Sequence, residues 1–331
     1  MLQQSEIQQV RQIIERYNRF VLTTHVNPDG DALGSEMAFA RYLQQCGKQV
    51  SILNSSPTPE TFHFLDPKKM MQQFDARQHI ELLTSSDVLF ILDISDWKRL
   101  RELGELVQTL PIEKVCIDHH LREGRFADVD IIHPQASSTG ELLFELFSGL
   151  KAKMTVPICE ALYTAILTDT GNFRFSNTSP RVMRIAAELM EQGIDRQRIY
   201  REIYESQPLT RVKLMARMLD NLTLGCEGRL AWMYVTQAML AEVGTTMKDT
   251  EGFSDFPRTI RGVEVALLFL ELEDGDVKIS FRSQGNISVN ALARQYGGGG
   301  HEFASGARTE GPIDDAIARV VSAAKGLFPD C

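Results

Sequence analysis

Four short apolar runs at 20–24, 50–53, 88–92 and 114–117 alternate with stretches of helical period, and this alternation constrains the fold more than any other feature of the chain. Ala32, Leu33, Met37, Ala40 and Leu43 mark one intervening helix and 98–109 another. Strands that alternate with helices predict an α/β domain: a doubly wound, mostly parallel sheet with helices on both faces. In such a sheet the functional groups collect beyond the carboxyl ends of the strands. Further along, Ser138-Thr139-Gly140-Glu141 is a capping box ahead of Leu142, and a helix bounded by Pro157 and Gly171 delivers Asp169 near its end.

A length of 331 residues exceeds what one hydrophobic core usually serves, so two domains are expected. Helical patterns at 181–192 and 196–205 precede a third that starts at Pro208, which places a helical linker at 191–210 between a domain at 1–190 and another at 211–331. The second domain reads as a smaller α+β unit. Its strands are expected at 222–226, 229–235, 261–270 and 276–281, and its helices at 237–243, 289–296 and 314–326.

Composition narrows the function classes. With 43% hydrophobic and 24% charged residues the chain is of ordinary globular make-up, and no apolar stretch approaches the ~20 residues that cross a bilayer. The N-terminal segment reads as an amphipathic helix and not as a secretory leader. Cys46, Cys116, Cys159, Cys226 and Cys331 form no C-x-x-C pair, which argues against a zinc knuckle. Their odd number points to reduced thiols in a cytoplasmic protein. The net charge of −9 provides no global field for long nucleic acids, so an anionic substrate would need local positive charge, which metal ions can supply.

Chemistry concentrates at the predicted strand ends. His25, Asp29 and Asp31 fall in one turn kept from helix by Pro28 and Gly30; Asp93 and Asp96 follow the third run; Asp118-His119-His120 follows the fourth; Asp169 completes the set. A single Asp after a strand is commonly only a helix cap, and Asp96 is read that way for the helix beginning near Trp97. Four separate acids converging with His25 and His119 are hard to obtain from capping. Carboxylates at that density repel one another unless a cation neutralises them, and a divalent metal pair does so economically. In the second domain Gly297 to Gly300 permit positive φ and close backbone approach, as in an anion nest, with His301, Arg282 and Ser283 as donors. A flexible loop and a solvated strand end are the alternatives there.

These residues resemble the DHH phosphoesterases. His25-x-x-x-Asp29-x-Asp31, Asp93, Asp118-His119-His120 and Asp169 match that family's four motifs, and Gly297 to His301 with Ser305-Gly306-Ala307 look like the DHHA1 domain of one branch. Size and order look most like the NanoRNase/pAp phosphatase (NrnA-type) branch. The resemblance implies two divalent ions, Mn²⁺ ahead of Mg²⁺ or others, one held by His25, Asp29 and Asp93 and the other by Asp31, Asp93, His119 and Asp169. It implies that Asp118 orients a ligand imidazole or fixes the loop, and that His120 meets a phosphate oxygen or protonates the leaving group. Gly298, Gly299, Gly300, His301, Arg282, Ser283 and Asn290 would hold the substrate's terminal phosphate or base, unless Asn290 merely caps a helix. Arg174 would reach a phosphate, and Phe173 would stack on a base or only pack.

The implied reaction is hydrolysis of very short oligoribonucleotides to nucleoside monophosphates and of 3′-phosphoadenosine 5′-phosphate (pAp) to AMP. Short RNA and pAp are thus the expected partners, without long duplex or membrane, and a homodimer is the default assembly. A pyrophosphatase or short-chain polyphosphatase, and a cyclic or linear dinucleotide phosphodiesterase, stay open as alternatives. So does a nucleotide-sensing protein without turnover, although that reading expects losses among the ligands and none is missing.

Overall fold

The computed structural model describes residues 2–94, 96–121 and 124–331, so Ser95, between Asp93 and Asp96, lies outside the described residues. The chain divides into two units, Met1–Ser206 and Gln207–Cys331.

The first unit is built on strands β1 (Arg19–Thr23), β2 (Gln49–Asn54), β3 (Met71–Gln73), β4 (Val88–Leu92), β5 (Glu113–Asp118) and β6 (Val129–Ile132). Its helices are α1 (Gln4–Arg16), α2 (Gly30–Gln45), α3 (Ala76–Thr84), α4 (Arg101–Thr109), α5 (Thr139–Leu150), α6 (Val156–Asp169), α7 (Pro180–Glu191) and α8 (Arg196–Tyr200). The strands lie in the order β3-β2-β1-β4-β5-β6, and every pairing is parallel. The order reverses between β1 and β4. Crossovers leave these two strands in opposite directions, which opens a crevice beyond their carboxyl ends.

Alternation along the central strands feeds two cores. Phe20, Leu22, Phe90, Leu92, Val115 and Ile117 pack with α1, α2, α5, α6 and α7 on one face. Val21, Leu89 and Ile91 meet Leu83, Leu103 and Val107 on the other. The sheet has six strands where the sequence suggests four. β3 and β6 are edge strands of 3 and 4 residues, too short to display a period. Asp96 does act as a cap: its Oδ1 accepts from the Lys98 amide at 3.0 Å.

The second unit carries β7 (Thr223–Gly225), β8 (Leu230–Val235), β9 (Val265–Glu271), β10 (Val277–Ser283), β11 (Gly299–His301) and β12 (Ala304–Thr309), with α9 (Leu209–Asp220), α10 (Gln237–Val243), α11 (Asn290–Arg294) and α12 (Ile313–Lys325). Its strand order is β11-β12-β10-β9-β8-β7, mixed in direction because β8 and β9 run parallel. The glycine run is no open loop: Gly299 to His301 pair antiparallel with β12. Gly298 is required by packing, since a Cβ there would stand 2.1 Å from the Gly306 carbonyl oxygen. Among the described residues no helix is long and apolar enough to cross a membrane.

The cysteines differ from expectation. Cys226, just after β7, is disulfide-bonded to Cys331, and the remaining three are free thiols. The reason is spatial. Phe328 is buried in the core of the second unit beneath the Arg229 guanidinium, which brings the chain end beside the β7–β8 turn. Closing a loop across a sequence separation of 105 restrains the unfolded ensemble of that unit. Cys331→Ser is therefore expected to destabilise the second unit by roughly 2–5 kcal/mol and leave the first unchanged. Hydrogen exchange followed unit by unit, with and without reductant, checks this.

Candidate active site

Each acid-bearing motif reaches the crevice from its own strand or helix end. Asp29 caps α2, its Oδ1 accepting from the amides of Asp31 and Ala32 at 3.0 and 3.1 Å, and its Oδ2 stands 4.0 Å from His25 Nε2. The turn before it is fixed by backbone and hydroxyl contacts: the Val26 amide donates to the Arg99 carbonyl at 2.8 Å and the Asn27 amide to Ser56 Oγ at 3.0 Å. Asp93 leaves β4 with φ of 59°, a left-handed conformation that Asp tolerates better than most side chains. The turn aims its carboxylate back across the crevice.

Asp93 is the centre of the arrangement. Fully buried, it presents Oδ2 to His25 Nε2 and Oδ1 to His119 Nε2, both at 3.5 Å. His119 Nε2 also faces Asp31 Oδ2 at 3.7 Å and Asp169 Oδ2 at 3.6 Å. These separations are long for hydrogen bonds, and His119 Nε2 is buried with no hydrogen-bond partner. Three sets of ligand atoms lie within 4.8 Å of one another: His25, Asp29 and Asp93; Asp31, His119 and Asp169; Asp93, His119 and His120. Mixed imidazole and carboxylate donors at such spacing suit a divalent transition ion. The outer ring nitrogens fit as well, because His25 Nδ1 lies 2.9 Å from the Val26 carbonyl oxygen and His119 Nδ1 3.4 Å from that of Ala136. A ring that donates from Nδ1 keeps the Nε2 lone pair for a metal.

The charges couple as the crowding demands. Burial, reinforced by Asp93, Asp169 and Asp29, pushes the Asp31 carboxyl well above its usual range. Burial likewise lifts Asp169 to about 6, against the opposing pull of His119. Asp93 goes the other way: burial opposes its ionisation, but the His119 and His25 imidazoles that face it hold it below the ordinary carboxylate range. His119 rises to about 9, burial being outweighed by Asp93 and Asp169.

Several partners of the acids escape a sequence reading. Asp31 accepts from the amides of Thr139 at 2.7 Å and Gly140 at 2.9 Å, at the N-terminus of α5, and the Thr139 hydroxyl donates to Asp93 Oδ1 at 3.0 Å. A Cβ on Gly140 would stand 2.5 Å from that of Ala165, so only glycine lets α5 approach Asp31 this closely. The capping box is present in altered form: Ser138 Oγ accepts from the Glu141 amide, but the Glu141 carboxylate takes the amide of Ser137. Position 139 carries no signal beyond that box.

Asp118 is fully buried, and its Oδ1 accepts from the His120 amide at 3.1 Å and pairs with His120 Nδ1 at 2.8 Å. That bond raises the pKa of His120, whose side chain is 44% exposed. After Asp169 the chain takes three successive left-handed residues, Gly171, Asn172 and Phe173. Arg174 is exposed, its Nε donating to the Gly171 carbonyl at 2.8 Å. Phe173, partly buried, packs on Tyr163 with the rings 6.1 Å apart and lies against the core of the first unit.

In the second unit Arg282 and His301 flank Ala304, in register on β10, β12 and β11. Arg282 Nε lies 3.5 Å from Asp255 Oδ1, a carboxylate that also takes Arg258 at 2.7 Å. The buried Ser283 Oγ accepts from the Gly285 amide at 3.2 Å. Asn290 does not cap α11; its amide donates to the Gly300 carbonyl and to Ser305 Oγ. Gly299 lies open, and Gly300 holds φ of 137° against β12.

Comparison with known proteins finds relatives for both units. Residues 19–166 match the model described as "DHH family, N-terminal domain", and residues 233–328 match the "DHHA1 domain". The chain is 31% identical to the "Bifunctional oligoribonuclease and PAP phosphatase NrnA" of Thermus thermophilus, covering 92% of this chain and 88% of that one. It is 29% identical to the protein of the same name from Bacillus subtilis, covering 89% and 90%. A crystal structure of an exopolyphosphatase-related protein from Bacteroides fragilis superposes with a TM-score of 0.91 at 30% identity, over 98% of this chain and 97% of that one.

Divalent ions must displace protons from this cluster, so their affinity is expected to rise with pH. His119, at about 9, stays protonated across the neutral range and Asp169 loses its proton near 6. The apparent Kd for Mn²⁺ should tighten by up to about tenfold per pH unit between pH 6 and 9 and level off above. Titration calorimetry in buffers of differing ionisation enthalpy would register the released proton.

Proposed function

The chain belongs to the DHH family, and from that premise we propose that it is a metal-dependent phosphoesterase that cleaves very short oligoribonucleotides to nucleoside monophosphates and pAp to AMP. The observation that carries this reading is the carboxylate of Asp93, which offers one oxygen to the His25 side and the other to the His119 side. His25, Asp29 and Asp93 would hold one divalent ion and Asp31, Asp93, His119 and Asp169 a second, Mn²⁺ in this reading. When bound, such ions supply Lewis acidity to the phosphoryl group and lower the pKa of an attacking water.

The protein's own groups divide the remaining work. Asp118 holds His120 through Nδ1 and keeps its imidazolium favourable, so His120 can deliver a proton to the departing oxygen. The α5 amides hold Asp31 in place without contributing a titrating group. Arg174 supplies a guanidinium for a phosphate oxygen. In the second unit Arg282, Ser283, His301 and the backbone of Gly298, Gly299 and Gly300 would bind nucleotide, with Asn290 fixing Gly300. Substrate phosphate must then compete with Asp255 for Arg282.

The catalytic role belongs in this reading to 1–190 and the substrate role to 211–331, joined by 191–210, in a cytoplasmic homodimer that takes no long duplex. The Cys226–Cys331 bond is unusual for that compartment.

The test is release of mononucleotide and phosphate from RNA dinucleotide, RNA pentanucleotide, pAp, cyclic di-AMP, pyrophosphate and tripolyphosphate, with Mn²⁺ and after chelation. Metal-dependent turnover of the dinucleotide and pAp is expected; turnover of pyrophosphate or tripolyphosphate alone would overturn the substrate assignment. Asp93→Asn, which suits the left-handed backbone, should lower kcat by at least about 10³-fold while the fold persists. Arg282→Ala should raise KM for pAp about tenfold with little change in kcat, and an unchanged KM would remove Arg282 from the site.

A further inference from the structure

β1 and β2 pair in parallel register from Arg19↔Gln49 to Leu22↔Ile52, and their ladder ends there. Beyond it the side chain of Asn54 replaces the missing rung: its Oδ1 accepts from the Thr24 amide at 3.1 Å, and its Nδ2 donates to Glu36 Oε2 at 2.8 Å. Thr24 immediately precedes His25. All three residues are buried, Thr24 and Glu36 completely and Asn54 to within 2%. Glu36 Oε1 makes no hydrogen bond. Burial lifts the carboxyl of Glu36 to about 8, with Asn54 opposing the shift and Asp93 adding to it. Among the described residues this side chain, costly to bury, has no basic partner. What it does hold is the orientation of one amide, and that amide holds the strand end that carries His25.

The other side of the site has separate supports. Asp31 is fixed by the α5 amides, and His119 lies against the Ala136 carbonyl. We propose that Glu36 and Asn54 are a positioning pair that sets the affinity of the metal position formed by His25, Asp29 and Asp93 and leaves within about threefold that of the position formed by Asp31, Asp93, His119 and Asp169. The proposal rests on the two-ion reading above.

The experiment counts ions, not products. Full-length protein is stripped with chelator, and Mn²⁺ binding is followed by titration calorimetry and by electron paramagnetic resonance for the wild type, Glu36→Leu, Glu36→Gln and Asn54→Ala. The wild type is expected to bind two ions. Glu36→Leu and Asn54→Ala should weaken one of them by about tenfold to a hundredfold, the range typical of groups that orient a ligand, and leave the other within about threefold. Glu36→Gln, which can still accept from the Asn54 amide, should bind both as the wild type does. Should Asn54→Ala fail to fold, the contrast between Leu and Gln at position 36 decides. Equal weakening of both ions, or of neither, overturns the positioning role. A wild type that binds no second ion overturns the two-ion reading instead.

Discussion

A carboxylate taken out of water costs several kcal/mol unless a cation or a set of donors stands in for its lost hydration. Asp31, Asp93 and Asp118 are all buried at one end of one sheet, with Asp29 and Asp169 beside them. The surroundings of these acids follow from that expense. Amides from α5 turn toward Asp31, two imidazoles flank Asp93, and Asp118 is engaged by the backbone and ring of His120. What they leave over is a cluster of oxygen and nitrogen atoms within reach of one another and only partly satisfied by hydrogen bonds, which gives the cluster its affinity for divalent ions.

The doubly wound sheet makes this concentration possible. Strand order reverses between β1 and β4, so the ends of those two strands are free of crossovers and can hold His25 and Asp93 face to face. β5 adds Asp118 and the histidines after it, and α6 returns Asp169 from a distant part of the chain. Two hydrophobic faces formed by alternating residues of β1 and β4 hold the strand ends in place without using any polar group of the site.

Much of this was legible in the sequence because the ligands sit in short linear motifs at the ends of apolar runs. The alternation of runs located the sheet, and the spacing of His25, Asp29 and Asp31 located one corner of the site. The supports were hidden because they act across the chain: Thr139 reaches Asp93 over 46 positions, the Thr139 amide reaches Asp31 over 108, and Asn54 reaches Glu36 over 18. A capping box explains Ser138 to Glu141 so well that nothing in the sequence asks for a second role. The edge strands β3 and β6 were hidden by shortness, and the Cys226–Cys331 pairing by a separation of 105 residues that no spacing rule addresses. The glycine run shows a different limit. Its composition announces unusual backbone, but whether that backbone binds a ligand or pairs with a strand depends on β12.

The left-handed backbone at Asp93 also has meaning for how such a sequence can drift. Few residue types tolerate a φ of 59°, Gly, Asn and Asp foremost, and of these only Asp brings a negative charge. Backbone and chemistry therefore filter the position independently, and Asp meets both with the least strain. Lengthening to Glu keeps the charge but fits the turn poorly, while Asn or Gly keep the turn and lose the charge. A descendant released from selection for hydrolysis but still required to fold would move first to Asn or Gly at this position, which makes residue 93 a marker for telling a working copy from a retired one.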